Sequence, residues 1–120
     1  MSVYTTYFAK VRKLPSYVKP ISICTYPPSW FAGPNFSKLA PTESALMEYR
    51  HTGDTDEFSR RYKEETLAGL NPNDVLEELR GLTSTKDVAL VCFEKSEDFC
   101  HRHLVAQWLM ENGIEAEEWK

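Results

Sequence analysis

The segment that most constrains the fold is an uninterrupted apolar stretch near the C-terminus, which reads Val-Ala-Leu-Val-Cys-Phe over residues 88–93. A strand with one face in solvent alternates apolar and polar residues, whereas a strand that is covered on both faces does not. The segment therefore predicts a central strand of a parallel sheet, with protein packed against both of its faces.

The rest of the chain alternates predicted strands and helices. Capping residues such as Thr42, Asp54 and Asn71 mark helix starts, and Asn112-Gly113 marks the end of the last helix. This order predicts an α/β domain, a small, mostly parallel sheet with helices on both faces, and a single domain over residues 1–120. Predicted strands cover 3–8, 21–24, 87–93 and 114–119, and predicted helices cover 42–50, 54–68, 72–82 and 99–112.

Composition narrows the function classes. The formal net charge of −4 argues against a general binder of nucleic acid or anionic membranes, whose affinity depends on Lys and Arg. The three cysteines form no CxxC motif, which is typical of a reduced, intracellular protein. No charged segment precedes an apolar one at the N-terminus, and the longest apolar run is far below the ~20 residues of a membrane span. We expect a cytoplasmic protein.

Reactive side chains follow the apolar strand directly. Glu94 comes next, and Cys100-His101-Arg102-His103 opens the last predicted helix. Open α/β sheets bind ligands at the carboxyl ends of strands and at helix N-termini. The sequence therefore predicts a site at this strand-to-helix turn.

Helical geometry at about 100° per residue separates the members of this cluster. His101 falls on the buried face, Arg102 lies at its flank, and His103 points largely to solvent. We therefore expect His101 to face the sheet edge beside Cys92 and Glu94. Two interpretations stay open: a proton-transfer group, or a structural histidine that donates to a backbone carbonyl.

Cys100 and Arg102 also have two interpretations each. Cys100 is a candidate nucleophile, since helix amides and Arg102 lower the pKa of a thiol, or it is a small residue filling a gap. Glu94 is a candidate general base. Arg102 either grips an anion or pairs with Glu94 or Asp98. We predict Cys100, His101 and Glu94 as catalytic, and Arg102 and Cys92 as ligand-binding.

Zinc is the alternative for this cluster, because Cys92, Cys100, His101 and His103 are all ligand types. The helical wheel points the two histidines to nearly opposite sides. We therefore predict no metal and no cofactor.

An aromatic loop precedes the first predicted helix. Tyr26, Trp30 and Phe36 surround Pro, Gly and Ser residues there. If the second and third strands are neighbours, Tyr26 and Trp30 supply aromatic walls for a planar ligand such as a nucleobase; the alternative is a loop pinned by its own aromatics. Lys38 and Arg50 are two further candidate anion contacts.

These residues resemble a known family. The stretch 87–95, followed by 99–106, is similar to the signature of the domain-of-unknown-function 488 family, an apolar strand ending in Cys-x-Glu and then Cys-His-Arg at a helix start. Longer members often carry Asp-Val-Arg where this chain has Ser22-Ile23-Cys24. The similarity extends to residues 4–9, 21–23, 26–30 and 38–41.

The resemblance implies a Rossmann-like three-layer fold and points to Cys92, Glu94, Cys100, His101 and Arg102. It implies no particular activity, so whether the chain is an enzyme stays open.

Three functional hypotheses follow from the residues. The first is a pocket for a small anionic or nucleotide-like ligand, between the loop at 27–30 and the helix start at 100–102. The second is a non-enzymatic protein-interaction module in which the Cys-His-Arg cluster is structural. The third, weaker hypothesis is nucleic-acid recognition through a local basic patch.

Overall fold

A computed structural model describes residues 2–84, 87–94 and 99–119 of the chain. Strands and helices alternate as predicted. Short 3-10 helices occupy Phe8–Lys13 and Ser37–Leu39, and a π-helical turn, Lys63–Leu67, continues α2. The strands are β1 (Val3–Tyr7), β2 (Val18–Ser22), β3 (Asp87–Cys92) and β4 (Ala116–Glu118), and the helices are α1 (Glu43–Thr52), α2 (Thr55–Tyr62), α3 (Pro72–Thr83) and α4 (His101–Glu111).

The four strands form one parallel sheet in the order β2-β3-β1-β4. Leu90 of β3 lies opposite Ile21 of β2 on one side and Thr5 of β1 on the other. All residues of β3 from Val88 to Cys92 are at most 1% exposed. The prediction of a central strand covered on both faces is confirmed.

The two faces of β3 belong to different layers. Val88 and Leu90 pack into a core with the four helices, while Ala89 and Val91 pack with Phe8 of the first 3-10 helix. Helical segments therefore cover both faces, as predicted, although the second face carries a 3-10 helix. The result is a three-layer α/β arrangement.

The capping signals act where the sequence placed them. Thr42 Oγ1 accepts a hydrogen bond from the Ala45 amide at 3.2 Å, and the Asp54 carboxylate accepts one from the Glu57 amide at 3.1 Å. Asn71 caps α3 through its side-chain oxygen, and Gly53 ends α1 with a left-handed φ of 68°. Local hydrogen bonding thus fixes the helix boundaries.

The second strand starts earlier than predicted. It runs over Val18–Ser22 rather than 21–24, with Pro20 inside it. Proline cannot donate to a sheet ladder, but β2 is an edge strand, where an unpaired backbone position is tolerated. Proline at this position therefore did not mark the start of the strand.

Among the described helices, none combines the length and the apolar character that a membrane crossing requires.

One polar group in β1 is buried without a partner. Thr6 is fully buried, and its hydroxyl finds no hydrogen-bond partner among the described residues. We expect Thr6→Val, which keeps the shape and removes the hydroxyl, to raise the free energy of unfolding by about 1 kcal/mol. Thermal denaturation should show a midpoint roughly 3–5 °C higher.

Thr5→Val is the matched control for this prediction. The Thr5 hydroxyl donates to the Glu118 carboxylate at 2.7 Å, so the same substitution one residue earlier should destabilise the protein. A Thr6→Val protein that is less stable than the parent would contradict the assignment.

Candidate functional site

A cleft of about 130 Å³ opens where β2 and β3 end and α4 begins. The carboxyl edge of a parallel sheet is the expected place for it. Five of the seven predicted site residues line it: Tyr26, Cys92, Glu94, Cys100 and His101. The remaining lining residues are Cys24, Thr25, Pro41, Leu46, Tyr49, Arg50 and Phe93.

Two of these residues are covalently joined. Cys92, the last residue of β3, and Cys100, the N-cap of α4, form a disulfide across a sequence separation of 8 residues. The expectation of reduced cysteines was wrong for this pair. The two cysteines meet because the end of β3 and the start of α4 converge at one sheet edge. The sequence carries no motif such as CxxC that would predict this pairing.

His101 lies against the sheet edge, as predicted. Its Nε2 is 2.7 Å from the carbonyl oxygen of Ile23, and its Nδ1 is 3.9 Å from Cys100 Sγ. A carbonyl only accepts, so Nε2 carries the proton and the Nδ1 lone pair faces the sulfur. The structural hydrogen bond that we considered is present, and it orients the ring for contact with Cys100.

The charge state of His101 follows from its burial. Removal from water lowers the pKa of His101 from 6.5 to about 4, and the positive charge of Arg102 acts in the same direction. The ring is therefore neutral near pH 7. A neutral imidazole with its Nδ1 exposed to a sulfur can accept a hydrogen bond from a thiol.

Arg102 makes its contacts within the protein interior. Its side chain is fully buried and donates four hydrogen bonds to protein groups: Nε and Nη2 donate to the Glu118 carboxylate at 3.1 and 2.9 Å, and Nη1 donates to the Glu94 carbonyl at 2.6 Å and to Cys92 Sγ at 3.2 Å. Arg102 is not among the residues that line the cleft, and its assignment as a ligand-binding residue stays a prediction. Of the partners predicted, Glu94 contributes its backbone, and Asp98 lies outside the described residues.

Trp30 does not line the cleft. Its ring packs edge-on against Phe8 at 5.9 Å between centroids, and the Arg12 guanidinium lies 5.5 Å from it. Its assignment as a ligand-binding residue stays a prediction, since Trp30 packs against the first 3-10 helix and is not among the residues that line the cleft. Tyr26 does line the cleft, and its hydroxyl donates to the Glu43 carboxylate at 3.0 Å.

Helix α1 supplies the wall that sequence reasoning largely missed. Leu46, Tyr49 and Arg50 all line the cleft. The sequence predicts Arg50 only as a further candidate anion contact, together with Lys38, which instead pairs with Glu78 at 2.6 Å. The spacing i, i+3, i+4 places the three α1 residues on one helix face, a signal that was available in the sequence.

Cys24 is the third cysteine and differs from the other two. Its thiol is free and buried, and its sulfur lies 3.9 Å from the Val91 carbonyl oxygen. Burial raises the pKa of Cys24 to about 12. The thiolate form needed for reaction is therefore strongly disfavoured at this position.

Three metal-ligand types meet at the cleft. Cys92 Sγ, Cys100 Sγ and a His101 ring nitrogen all lie within 4.8 Å of one another. His103 is outside this group, in agreement with the wheel argument that separated the two histidines. The described residues thus provide three ligands, and a closed structural zinc site needs four.

The fold and the site define a class: a small parallel α/β domain with a Cys-Cys-His cluster at the carboxyl edge of its sheet. The family model DUF488-N3a, described as the active DUF488-N3 subclade, matches residues 11–113. The chain therefore belongs to the DUF488 family, as its signature residues indicated. Comparisons with curated proteins and with solved structures find no significant match.

The depressed pKa of His101 predicts a pH-dependent stability. The unfolded chain takes up a proton on His101 near pH 6.5, whereas the folded protein does so only near pH 4. The free energy of unfolding should therefore fall as the pH drops from 6.5 to 4. Above pH 6.5, the contribution of neutral His101 to stability is fully present. At about 1.4 kcal/mol per pH unit, the loss is bounded at roughly 3 kcal/mol.

Urea denaturation between pH 4 and pH 7 measures this loss. His101→Gln keeps a donor for the Ile23 carbonyl but does not titrate, so its stability should depend less on pH than that of the parent. His51→Gln, on an exposed position of α1, is the matched control and should retain the parent's dependence. Equal pH profiles for the parent and His101→Gln would refute the role of burial.

Proposed function

We propose that this protein binds a small anionic, nucleotide-like ligand in the cleft beside Cys100. The observation that carries this proposal is Arg50. It is exposed, it lines the cleft, and it forms no ion pair within the part of the chain that the structure describes. An available guanidinium beside aromatic side chains suits a ligand with an anionic group and a planar group.

The cleft's size and walls limit the ligand. A volume of about 130 Å³ is below the ~300–1,000 Å³ of sites that enclose drug-sized molecules. It suits one ring or a short acid, with the rest of the ligand lying over exposed neighbours. Tyr26, which is 53% exposed, offers a ring face for such a planar group, and Tyr49 adds an aromatic wall.

The electrostatics of the cleft are mixed. Arg50 and the N-terminus of α4 favour an anion, while the exposed Glu94 carboxylate repels one. We therefore place the anionic group at Arg50. Glu94 is better suited to accept a hydrogen bond from a ligand hydroxyl, or a proton during reaction.

We further propose that the bound ligand meets a nucleophile. Cys100, once reduced, presents its sulfur at the N-terminus of α4, and the Nδ1 of neutral His101 is placed to accept the thiol hydrogen. Glu94 is the candidate proton acceptor. The description of the matched family as an active subclade supports a catalytic role.

A second candidate is a protein-interaction module without catalysis. Trp30 and Phe93 are each 49% exposed and both pack against Phe8, which creates an aromatic surface next to the cleft. Exposed aromatics of this kind are common at protein interfaces. Reactivity of Cys100 separates the candidates, because a purely structural cluster needs no accessible sulfur.

Ligand binding can be tested by NMR on the reduced protein with three probes: inorganic phosphate, a nucleoside and a nucleoside monophosphate. We expect the monophosphate to shift the amide resonances of Tyr26, Arg50 and Glu94 most strongly. Arg50→Gln should weaken its binding about tenfold or more, because a charge-assisted hydrogen bond contributes roughly 1.5–3 kcal/mol.

Arg80→Gln is the matched control. Arg80 is an exposed arginine of α3 that does not line the cleft, and its replacement should leave binding unchanged. Resonance shifts confined to other surfaces, or equal binding by Arg50→Gln and the parent, would refute the proposed site.

A further inference from the structure

We propose that the Cys92–Cys100 pair is a thiol–disulfide exchange site, in which small thiols attack Cys100 and Cys92 leaves as a thiolate. The exchange needs no contact with Arg50, so it stands apart from the ligand proposed above. Its substrates are low-molecular-weight thiols and their disulfides.

The two cysteine residues are both buried, but they occupy different positions at the cleft. Cys100 is 5% exposed and occupies the irregular N-cap position of α4, whereas Cys92 is 1% exposed at the end of the central strand. Both residues line the cleft, which is large enough for a small thiol. An incoming sulfur therefore reaches Cys100 more readily than Cys92, whose backbone is paired with Tyr7 of β1.

The surroundings of the two sulfurs also indicate which one is attacked and which one leaves. Arg102 Nη1 donates to Cys92 Sγ at 3.2 Å, and this guanidinium is fixed by Glu118 on its other edge. A positively charged donor at that distance stabilises a thiolate, and a sulfur that is stabilised as a thiolate is the better leaving group. Breaking the disulfide therefore favours release of Cys92.

The surroundings of Cys100 suit the sulfur that is attacked, not the one that leaves. His101 Nδ1 lies 3.9 Å from the Cys100 sulfur and presents an acceptor lone pair to it. An acceptor nitrogen favours the protonated thiol of reduced Cys100, whereas the guanidinium donor at Cys92 favours a thiolate. Cys100 is thus the sulfur that carries the mixed disulfide.

The reaction balances with a monothiol as reductant. A thiolate RS⁻ attacks Cys100 Sγ, the Cys92–Cys100 bond breaks, and Cys92 takes the electron pair. A second RS⁻ attacks the R-bearing sulfur of the mixed disulfide, which releases RSSR and the Cys100 thiolate. In sum, the protein disulfide and two RSH give the protein dithiol and RSSR, and the reverse direction oxidises the protein.

Single-cysteine proteins test the assignment of roles. Cys24→Ala with Cys92→Ser leaves only Cys100, and Cys24→Ala with Cys100→Ser leaves only Cys92. With oxidised glutathione at neutral pH, mass spectrometry should show the Cys100-only protein forming a mixed disulfide at least tenfold faster. Both should react at similar rates in denaturant, which controls for intrinsic reactivity.

The parent chain provides a second readout that needs no substitution. Its disulfide is reduced by a limiting amount of glutathione, the reaction is quenched with acid, and the modified cysteine is found by peptide mapping. We expect glutathione on Cys100. Modification of Cys92, or equal rates for the two single-cysteine proteins, would overturn the proposal.

Metal binding is the sharpest competing outcome. If the reduced parent binds one zinc ion that blocks its reaction with oxidised glutathione, the three clustered ligands form a metal site and the exchange proposal fails. Reduced protein that reacts at the same rate with and without zinc supports it.

Discussion

The structure depends on one buried cation. The Arg102 guanidinium is fully buried, yet the Glu118 carboxylate, the Glu94 carbonyl and Cys92 Sγ accept hydrogen bonds from it. These contacts join α4 to the ends of β3 and β4, two strands on opposite sides of β1. Leaving such a charge unpaired would cost several kcal/mol, so the partners and the arginine fix each other's positions.

The site is organised by this interaction. By holding the end of β3 against α4, Arg102 helps to bring Cys92 close to Cys100. His101 then lies over the end of β2 and donates to the Ile23 carbonyl. The side chains of Cys92, Cys100 and His101 are therefore attached to backbone that is held in place at the sheet edge. This arrangement fixes the positions of these side chains relative to one another.

Neighbouring residues at the start of α4 make different contacts because of their positions around the helix. Residues 100, 101 and 102 are adjacent in sequence, but they point in different directions at the start of α4. One reaches a cysteine, one a backbone carbonyl and one a carboxylate on the far strand. A motif that looks like one binding cluster in sequence is divided in space between the cleft and the interior.

Local sequence patterns were enough to predict much of this fold. The apolar run at 88–93 predicted a central buried strand, and the capping residues predicted the starts of three helices, because both signals depend on neighbours within a few residues. Helical periodicity likewise predicted that His101 faces the sheet. These features needed no knowledge of which distant segments meet.

The tertiary structure alone decided which distant residues contact one another. Glu118 reaches Arg102 because β4 pairs with β1 and not with β3, and nothing in the local sequence encodes that order. The Cys92–Cys100 disulfide and the Arg50 wall likewise arise from long-range packing at one sheet edge. The sequence by itself thus determined which segments are strands and helices and where the reactive residues lie along them, whereas strand order decided which of those residues face the cleft.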